Sequence, residues 1–372
     1  MTMQKKIIVL GATGSIGKSC IDILRHNPDL FKITGLSAHR DGEGLSLLEK
    51  EFGPCTCVLS LRDGEKKLLS MIRETEADIV VNGIAGSSGL LPSIAALESG
   101  KDLALANKET IVMAGPLIKR LAREKNGKIL PVDSEHSAVF NLVNAYGRES
   151  IAEIILTASG GPFRTWASDR LPFITLSDAL KHPTWSMGAK ITIDSASLAN
   201  KGLEVIEACL LFDIEPKRVK VVVHPQSLVH SFIRTTDGVL YAQISKPDMR
   251  HPIYSALTWP EYLPGHLEPL TFDQLCTMQF EPPRYSDFPL LGLAYKAAEL
   301  AGCYTIAYNA ANEIAVASFI GGVITFADLA SVTERVLDLD WSKAPVSFDD
   351  VFFADSEARK SALSFITGIQ KC

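Results

Sequence analysis

Residues 7–17 read Ile7-Ile8-Val9-Leu10-Gly11-Ala12-Thr13-Gly14-Ser15-Ile16-Gly17. A short apolar, β-branched run meets glycines at every third position, and an amphipathic stretch over 16–25 follows. Strand, glycine turn and helix in that order open a dinucleotide-binding unit. The glycines permit a tight turn and close approach to a pyrophosphate, and the helix start offers free N–H groups and positive potential. The spacing is GxxGxxG rather than GxGxxG, so a plain structural turn stays open as the alternative on these residues alone.

Outward from this turn the first third keeps alternating. Apolar runs at 7–10, 32–38, 79–82, 102–106 and 128–132 are separated by helical patterns that include 16–25, 65–74 and 115–125. That order predicts a parallel sheet with helices on both faces. Further on, 151–158, 219–223 and 239–244 read as strands. Between the first two lies 159–195, rich in Gly, Pro, Trp and Ser and without a clear period, which reads as a functional loop or lid. Seven of the 19 prolines fall between Pro252 and Pro289 and predict a linker. Helical patterns at 290–300, 309–319, 326–337 and 356–367 then predict a small all-α domain. The expected class is α/β: a Rossmann-like parallel-sheet domain, an α+β domain and a small helical bundle.

Composition narrows the function. The 372 residues carry 37 Lys+Arg against 43 Asp+Glu, a net charge of −6, which argues against nucleic acid as a partner. With 47% hydrophobic residues the chain has enough apolar surface for real cores. The seven cysteines are odd in number and scattered, and they read as reduced thiols in a reducing compartment. The uncharged run 79–97 is broken by Gly, Pro and Ser, so it reads as strand, loop and helix start rather than a membrane span. No signal-peptide pattern precedes the first strand, and a cytoplasmic protein without membrane association is expected.

Further stretches carry chemistry. After the second strand stands Ala38-His39-Arg40-Asp41; Arg40 favours a ribose 2′-phosphate and hence NADP, while Asp41 would suit NAD. Asp133-Ser134-Glu135 places two carboxylates two residues apart, an arrangement that repels unless a cation or proton intervenes. A hard cation such as Mg²⁺ or Mn²⁺ fits; a solvated acidic surface is the bland alternative. In 194–207 Asn200 and Lys201 share a helix face with Glu204, beside Ser195 and Ser197. Either this is a helical ion pair, or it meets a phosphate and a metal. His182 sits in the suspected lid, and Ser159-Gly160-Gly161 reads as an anion-binding turn or a plain one. Glu313, flanked by apolar residues, needs a polar partner.

Taken together, these residues resemble the 1-deoxy-D-xylulose 5-phosphate reductoisomerase family. The stretches that carry the resemblance are LGATGSIG (10–17), ALANKET (104–110), PVDSEHSA (131–138), ASGGPFR (158–164), HPTWSMG (182–188), IDSASLANKGLEVIEA (193–208), HPQSLVHS (224–231) and NAANEIAVA (309–317). The resemblance implies an NADPH-binding domain at 1–133 and a connective catalytic domain at 134–258. A proline-rich linker at 259–284 and a helical domain at 285–372 would follow, in a V-shaped homodimer. It implies that Thr13, Gly14, Ser15, Ile16, Arg40, Asn107, Glu109 and Gly188 bind NADPH. Asp133, Glu135 and Glu204 would hold the metal. Lys108, Ser134, Glu135, Ser159, His182, Ser195, Asn200, Lys201 and Glu204 would meet the substrate, with Lys108, Glu135 and His182 in catalytic roles. The loop bearing His182, Trp185, Met187 and Gly188 would close over the site. The chain departs from the family at His39-Arg40-Asp41, where a Gly/basic/Asn sequence is usual; only the basic residue is kept.

The implied reaction rearranges a small phosphorylated sugar by retro-aldol cleavage and re-joining, then reduces the resulting aldehyde. From the residues alone two other readings stay open. One is an NADP-dependent dehydrogenase of the semialdehyde or homoserine type, which involves no carbon-skeleton rearrangement and has no absolute need of a metal. The other is a non-catalytic dinucleotide sensor, which leaves the carboxylates without a purpose.

Overall fold

The computed structural model describes residues 4–185 and 187–369, so Ser186 of the suspected lid and Cys372 lie outside the described residues. The chain forms two compact units. The first comprises 1–110, 118–140 and 248–270, and the second 111–117, 141–247 and 271–372.

The first unit is built on a six-stranded sheet. Its strands are β1 (Lys5–Leu10), β2 (Phe31–Ala38), β3 (Thr56–Leu59), β4 (Ile79–Asn82), β5 (Asp102–Leu105) and β6 (Ile129–Pro131). They lie in the order β3-β2-β1-β4-β5-β6, and every pairing is parallel. Ile7 to Leu10 and Ile79 to Asn82 are fully or nearly fully buried, as central strands covered on both faces must be. The order reverses between β1 and β4, and ligands of such sheets bind at the carboxyl ends of the strands at that point. The glycine turn after β1 lies there. Gly83, at the end of β4, donates to Leu10 O (3.1 Å), and a Cβ on Gly11 would meet Gly83 O at 3.1 Å.

The second unit holds a four-stranded mixed sheet in the order β10-β9-β7-β8, with β7 (Ile151–Ala158), β8 (Val219–Val223), β9 (Val229–Thr235) and β10 (Leu240–Ile244). β7 and β8 are parallel, and β9 is antiparallel to both β7 and β10. The helices Ala189–Ala196 and Ala199–Phe212 fall between β7 and β8 in the chain. Pro289–Leu300, Tyr304–Ile320, Asp328–Leu337 and Phe348–Ile369 complete the unit as a helical layer. The fully buried Tyr308 donates to Leu290 O at 3.1 Å and ties two of these helices together.

The parallel sheet, the mixed sheet and the helical tail agree with the expected class. The compact units follow other edges than the expected domains: the first takes back 248–270, and the mixed sheet and helical tail share the second. The proline-rich stretch has no helix or strand over 261–280, where most residues are exposed, and it is anchored at both ends. Arg250–Thr258 is a helix with Pro252 in its first turn, where a missing N–H costs nothing, and Ile253 and Leu257 are fully buried. Trp259 and Leu263 pack on the first unit's core. Glu281 pairs with Val223 beside β8, and Arg284 donates to the carbonyls of Arg164 (3.0 Å) and Trp166 (2.8 Å). Short β3 and the helix Gly42–Phe52, capped by Asp41, went unread because neither has a long apolar period. The last helix begins earlier than its apolar pattern, since Ser347 and Asp350 exchange hydrogen bonds as a capping box.

Glu313 has the polar partner it requires: Arg359 pairs with it at 2.5 Å and with Asp355 at 2.7 Å. The six described cysteines are free thiols. Among the described residues, no helix is long and apolar enough to cross a membrane.

Gly202 sits where the helix Ala199–Phe212 meets the helical layer. A Cβ there would lie 2.6 Å from the Tyr308 hydroxyl and 2.7 Å from Ala294 Cβ. Gly202→Ala should therefore cost about 1–3 kcal/mol of overpacking and lower the urea midpoint. An unchanged midpoint would show that the two helices separate more readily than this packing allows.

Candidate functional site

In the first unit the glycine turn is tightly built. Gly11 has φ +73°, Gly14 donates to Gly11 O (2.9 Å), and a Cβ on Gly17 would meet Gly11 O at 2.2 Å. Gly17 is therefore required for the helix Ser15–His26 to pack on the strand end. Thr13, Gly14, Ser15 and Ile16 line the turn and helix start and keep some exposure, as a phosphate-binding loop requires. No acidic side chain stands in the first turn of that helix to compete for its N–H groups. At the end of β2, Arg40 is exposed, and the Asp41 carboxylate accepts from Gly44 N at 2.8 Å as a helix cap. That employment removes much of Asp41's case as a ribose ligand. His39 is also exposed, with Nδ1 2.9 Å from Ser60 Oγ.

Asn107 is 2% exposed and caps the helix Lys108–Glu124. Its amide nitrogen donates to Ile84 O and Gly86 O (both 2.8 Å) and to Glu109 Oε2 (2.9 Å), while its oxygen accepts from Thr110 N (2.9 Å). Thr110, Ser93 and Asn82 continue this buried network, so it fixes the loop after β4. Lys108 Nζ lies 3.0 Å from Asp133 Oδ2, both largely buried. Asp133 Oδ1 faces Glu135 N (3.2 Å) and His136 Nδ1 (3.1 Å), and Ser134 Oγ donates to Glu135 Oε2 at 2.6 Å. The donors gathered here are carboxylate oxygens, the set a hard cation prefers, and a histidine orients one of them.

In the second unit His182 bridges two serines. Thr184 N (3.1 Å) and Trp185 N (2.9 Å) donate to its Nδ1, which leaves the proton on Nε2. Nε2 stands 3.1 Å from Ser159 Oγ and 3.0 Å from Ser195 Oγ. Burial pushes the imidazole pKa down to about 4, in keeping with a neutral ring. Ser159 opens a turn in which Gly160 and Gly161 have φ +86° and +67°, and a Cβ on Gly161 would meet Ser195 O at 2.8 Å. Gly188 caps the helix Ala189–Ala196 and is exposed.

Leu198 holds a left-handed φ of 58° and starts the helix Ala199–Phe212. A branched side chain in that region is strained, which is common where a chain must place functional groups. Asn200 Nδ2 donates to Glu204 Oε1 at 2.5 Å, and Lys201 Nζ bonds to Glu204 Oε2. Lys201 and Glu204 are 4% and 1% exposed, so this is a buried pair rather than a solvated helical one. Sequence reasoning missed the layer beneath. Buried Asp194 accepts from Asn312 (2.8 Å) and Lys190 (2.9 Å) and so anchors the helix that carries Ser195. The available signal was a pair of asparagines, Asn309 and Asn312, inside an apolar helical run.

A second acid–histidine group, Asp22, His26 and His266, lies in the first unit. Arg250 holds Asp22 at 2.8 Å, and the two imidazoles stack 4.1 Å apart at 14°. Parallel stacked rings cannot aim their nitrogen lone pairs at one ion between them.

A family model of 1-deoxy-D-xylulose 5-phosphate reductoisomerase matches residues 7–63 and 55–115, and models of its C-terminal domain match 129–212 and 244–361. The 1-deoxy-D-xylulose 5-phosphate reductoisomerase of Treponema denticola is 48% identical over 371 residues, covering 98% of this chain and 97% of that protein. That of Treponema pallidum is 46% identical, covering 97% of each. Among solved structures, the reductoisomerase from Zymomonas mobilis in complex with NADPH superposes with a TM-score of 0.90 at 39% identity, over 98% and 99% of the two chains. A DOX-P reductoisomerase in complex with NADPH, fosmidomycin and magnesium gives 0.90 at 34% identity, over 99% of each. On these matches the chain belongs to the 1-deoxy-D-xylulose 5-phosphate reductoisomerase family.

Proposed function

We propose that the chain converts 1-deoxy-D-xylulose 5-phosphate to 2-C-methyl-D-erythritol 4-phosphate, using NADPH and a divalent cation, Mg²⁺ or Mn²⁺, in the non-mevalonate route to isoprenoid precursors. The proposal includes a homodimer in the cytoplasm, with no nucleic-acid or membrane partner. It also keeps the functional division at 1–133, 134–258, 259–284 and 285–372. One observation carries it: both units hold buried or half-buried carboxylates bonded to cationic or hydroxyl groups, in a chain related to reductoisomerases along nearly its whole length.

Thr13, Gly14, Ser15 and Ile16 present the turn and helix start to the cofactor's phosphates, and Arg40 takes the ribose 2′-phosphate. Asn107 acts by holding the loop after β4 in place, while Glu109 and Gly188 complete the cofactor contacts. Asp133, Glu135 and Glu204 hold the cation. When bound, the cation supplies Lewis acidity to adjacent substrate oxygens and NADPH supplies hydride.

Ser159, Ser195, Asn200 and Lys201 grip the substrate phosphate. Because the single Nε2–H of His182 is shared between Ser159 Oγ and Ser195 Oγ, both hydroxyls are free to donate their own hydrogens to a phosphate oxygen. His182 thus acts as a neutral orienting donor. Lys108 and Ser134 meet the substrate's oxygen-bearing carbons, and Lys108 and Glu135 move protons there. The phosphate grip supplies binding energy remote from the reacting carbons, which drives the 182–188 loop to close.

The reading is tested by the product: incubation with 1-deoxy-D-xylulose 5-phosphate, NADPH and Mg²⁺ should yield 2-C-methyl-D-erythritol 4-phosphate by NMR. A reduced but unrearranged sugar would point to an ordinary dehydrogenase. Glu204→Gln should bind NADPH nearly as the parent does and lose about 100-fold or more in turnover. Normal turnover of that variant at saturating Mg²⁺ would remove Glu204 from the metal site. Arg40→Ala should weaken NADPH about tenfold or more, the worth of one charge-assisted contact, and leave NADH binding unchanged; equal losses for both would contradict the 2′-phosphate assignment. His182 has a depressed pKa, so its neutral form is favoured in the folded chain. Stability from this source is complete above about pH 6.5, the unfolded value, and falls as pH drops from there toward 4. In urea titrations the parent should therefore lose ground to His182→Gln across that window; a constant difference would mean that the ring is not held neutral.

A further inference from the structure

The groups assigned to the metal and the groups assigned to the substrate are bonded to one another. Lys108 Nζ is on Asp133 Oδ2 (3.0 Å), and Ser134 Oγ is on Glu135 Oε2 (2.6 Å). Asn200 is on Glu204 Oε1 (2.5 Å) and Lys201 on Glu204 Oε2. Each of the three carboxylates is thus engaged by a residue expected to bind substrate. The two lysine side chains are 6% and 5% exposed, and the carboxylates they meet are 13% and 1% exposed, so water does little to screen either pair. A dication on the same carboxylate oxygen competes with the ammonium for its negative charge, and in such surroundings each cation weakens the other's hold.

We infer that these pairs form an exchange device: the cation and the two lysines take the same carboxylate oxygens in turn. Without the cation, Lys108 and Lys201 neutralise buried carboxylates and are held back from substrate. Cation loading displaces them, and they turn, with Ser134 and Asn200, to the phosphorylated substrate. Linkage makes the effect reciprocal, so an anion that draws Lys201 off Glu204 tightens the cation. This inference rests on the metal and substrate assignments proposed above.

The test is Mn²⁺ binding by calorimetry to the full chain, without substrate and in phosphate-free buffer. The parent, Lys108→Met, Lys201→Met and Lys190→Met are compared. Lys190 serves as the control, because its ammonium holds Asp194 (2.9 Å), which is not an assigned ligand. Lys108→Met and Lys201→Met should bind Mn²⁺ about tenfold tighter than the parent, and Lys190→Met should match it. Equal or weaker binding by the first two overturns the exchange, as does equal tightening in all three, which would be a bulk charge effect. A parent that binds no Mn²⁺ overturns the ligand assignment beneath it, a separate failure. Because Lys201→Met leaves Glu204 buried beside a neutral side chain and can misfold, the unsubstituted protein gives a second readout. With ¹⁵N-lysine labelling, two ammonium resonances should shift as Mg²⁺ is added. Mg²⁺ binding without such shifts contradicts the exchange.

Discussion

Charge that is taken out of water must be compensated, and this requirement organises the candidate site. Glu204 is 1% exposed and Asp133 lies deep beside Lys108. An isolated carboxylate in either place would be costly, far beyond what local packing recovers. The fold meets the requirement by placing an ammonium one helical turn from Glu204 and another at the start of the helix that follows β5. Everything chemical in the proposed reaction depends on how that compensation passes among lysine, cation and substrate.

The scaffolding around these charges is rigid by construction. In the first unit, Asn82, Ser93, Thr110 and Asn107 form a buried chain of hydrogen bonds that fixes the loop after β4 at the sheet's switch point. In the second, Asp194 is clamped by Asn312 and Lys190, and Gly161 packs directly on the backbone of Ser195. Buried networks of this kind resist partial disruption. They tie Ser159 and Ser195 to a turn and a helix that are packed and hydrogen-bonded within the second unit. The neutral His182 suits that position, since its two backbone donors and two serine partners specify one tautomer.

Much of this was legible in the chain. The glycine turn, the buried β1 and β4 runs and the D-x-E pair announce themselves through spacing, because phosphate approach and strand burial each demand a fixed pattern. The asparagine network did not, since Asn82, Asn107 and Asn312 act through long-range partners that one-dimensional periodicity cannot reveal. Asp41 is instructive: a carboxylate at the end of the second strand suits a ribose, yet here it caps the next helix. The residues that lead into the proline-rich stretch are instructive for a similar reason. Pro252 at a helix start stabilises what a proline count marks as a break, and Tyr254 and Trp259 pack against core that lies far away in sequence.

The central claim is that cation, cofactor and rearranging sugar belong to one reaction. The most direct measurement follows NADPH absorbance with 1-deoxy-D-xylulose 5-phosphate, in chelator and then with Mg²⁺ restored. Oxidation that is absent in chelator and returns with Mg²⁺ is the predicted result. Oxidation at the same rate without a divalent cation, or none with it, would contradict the account.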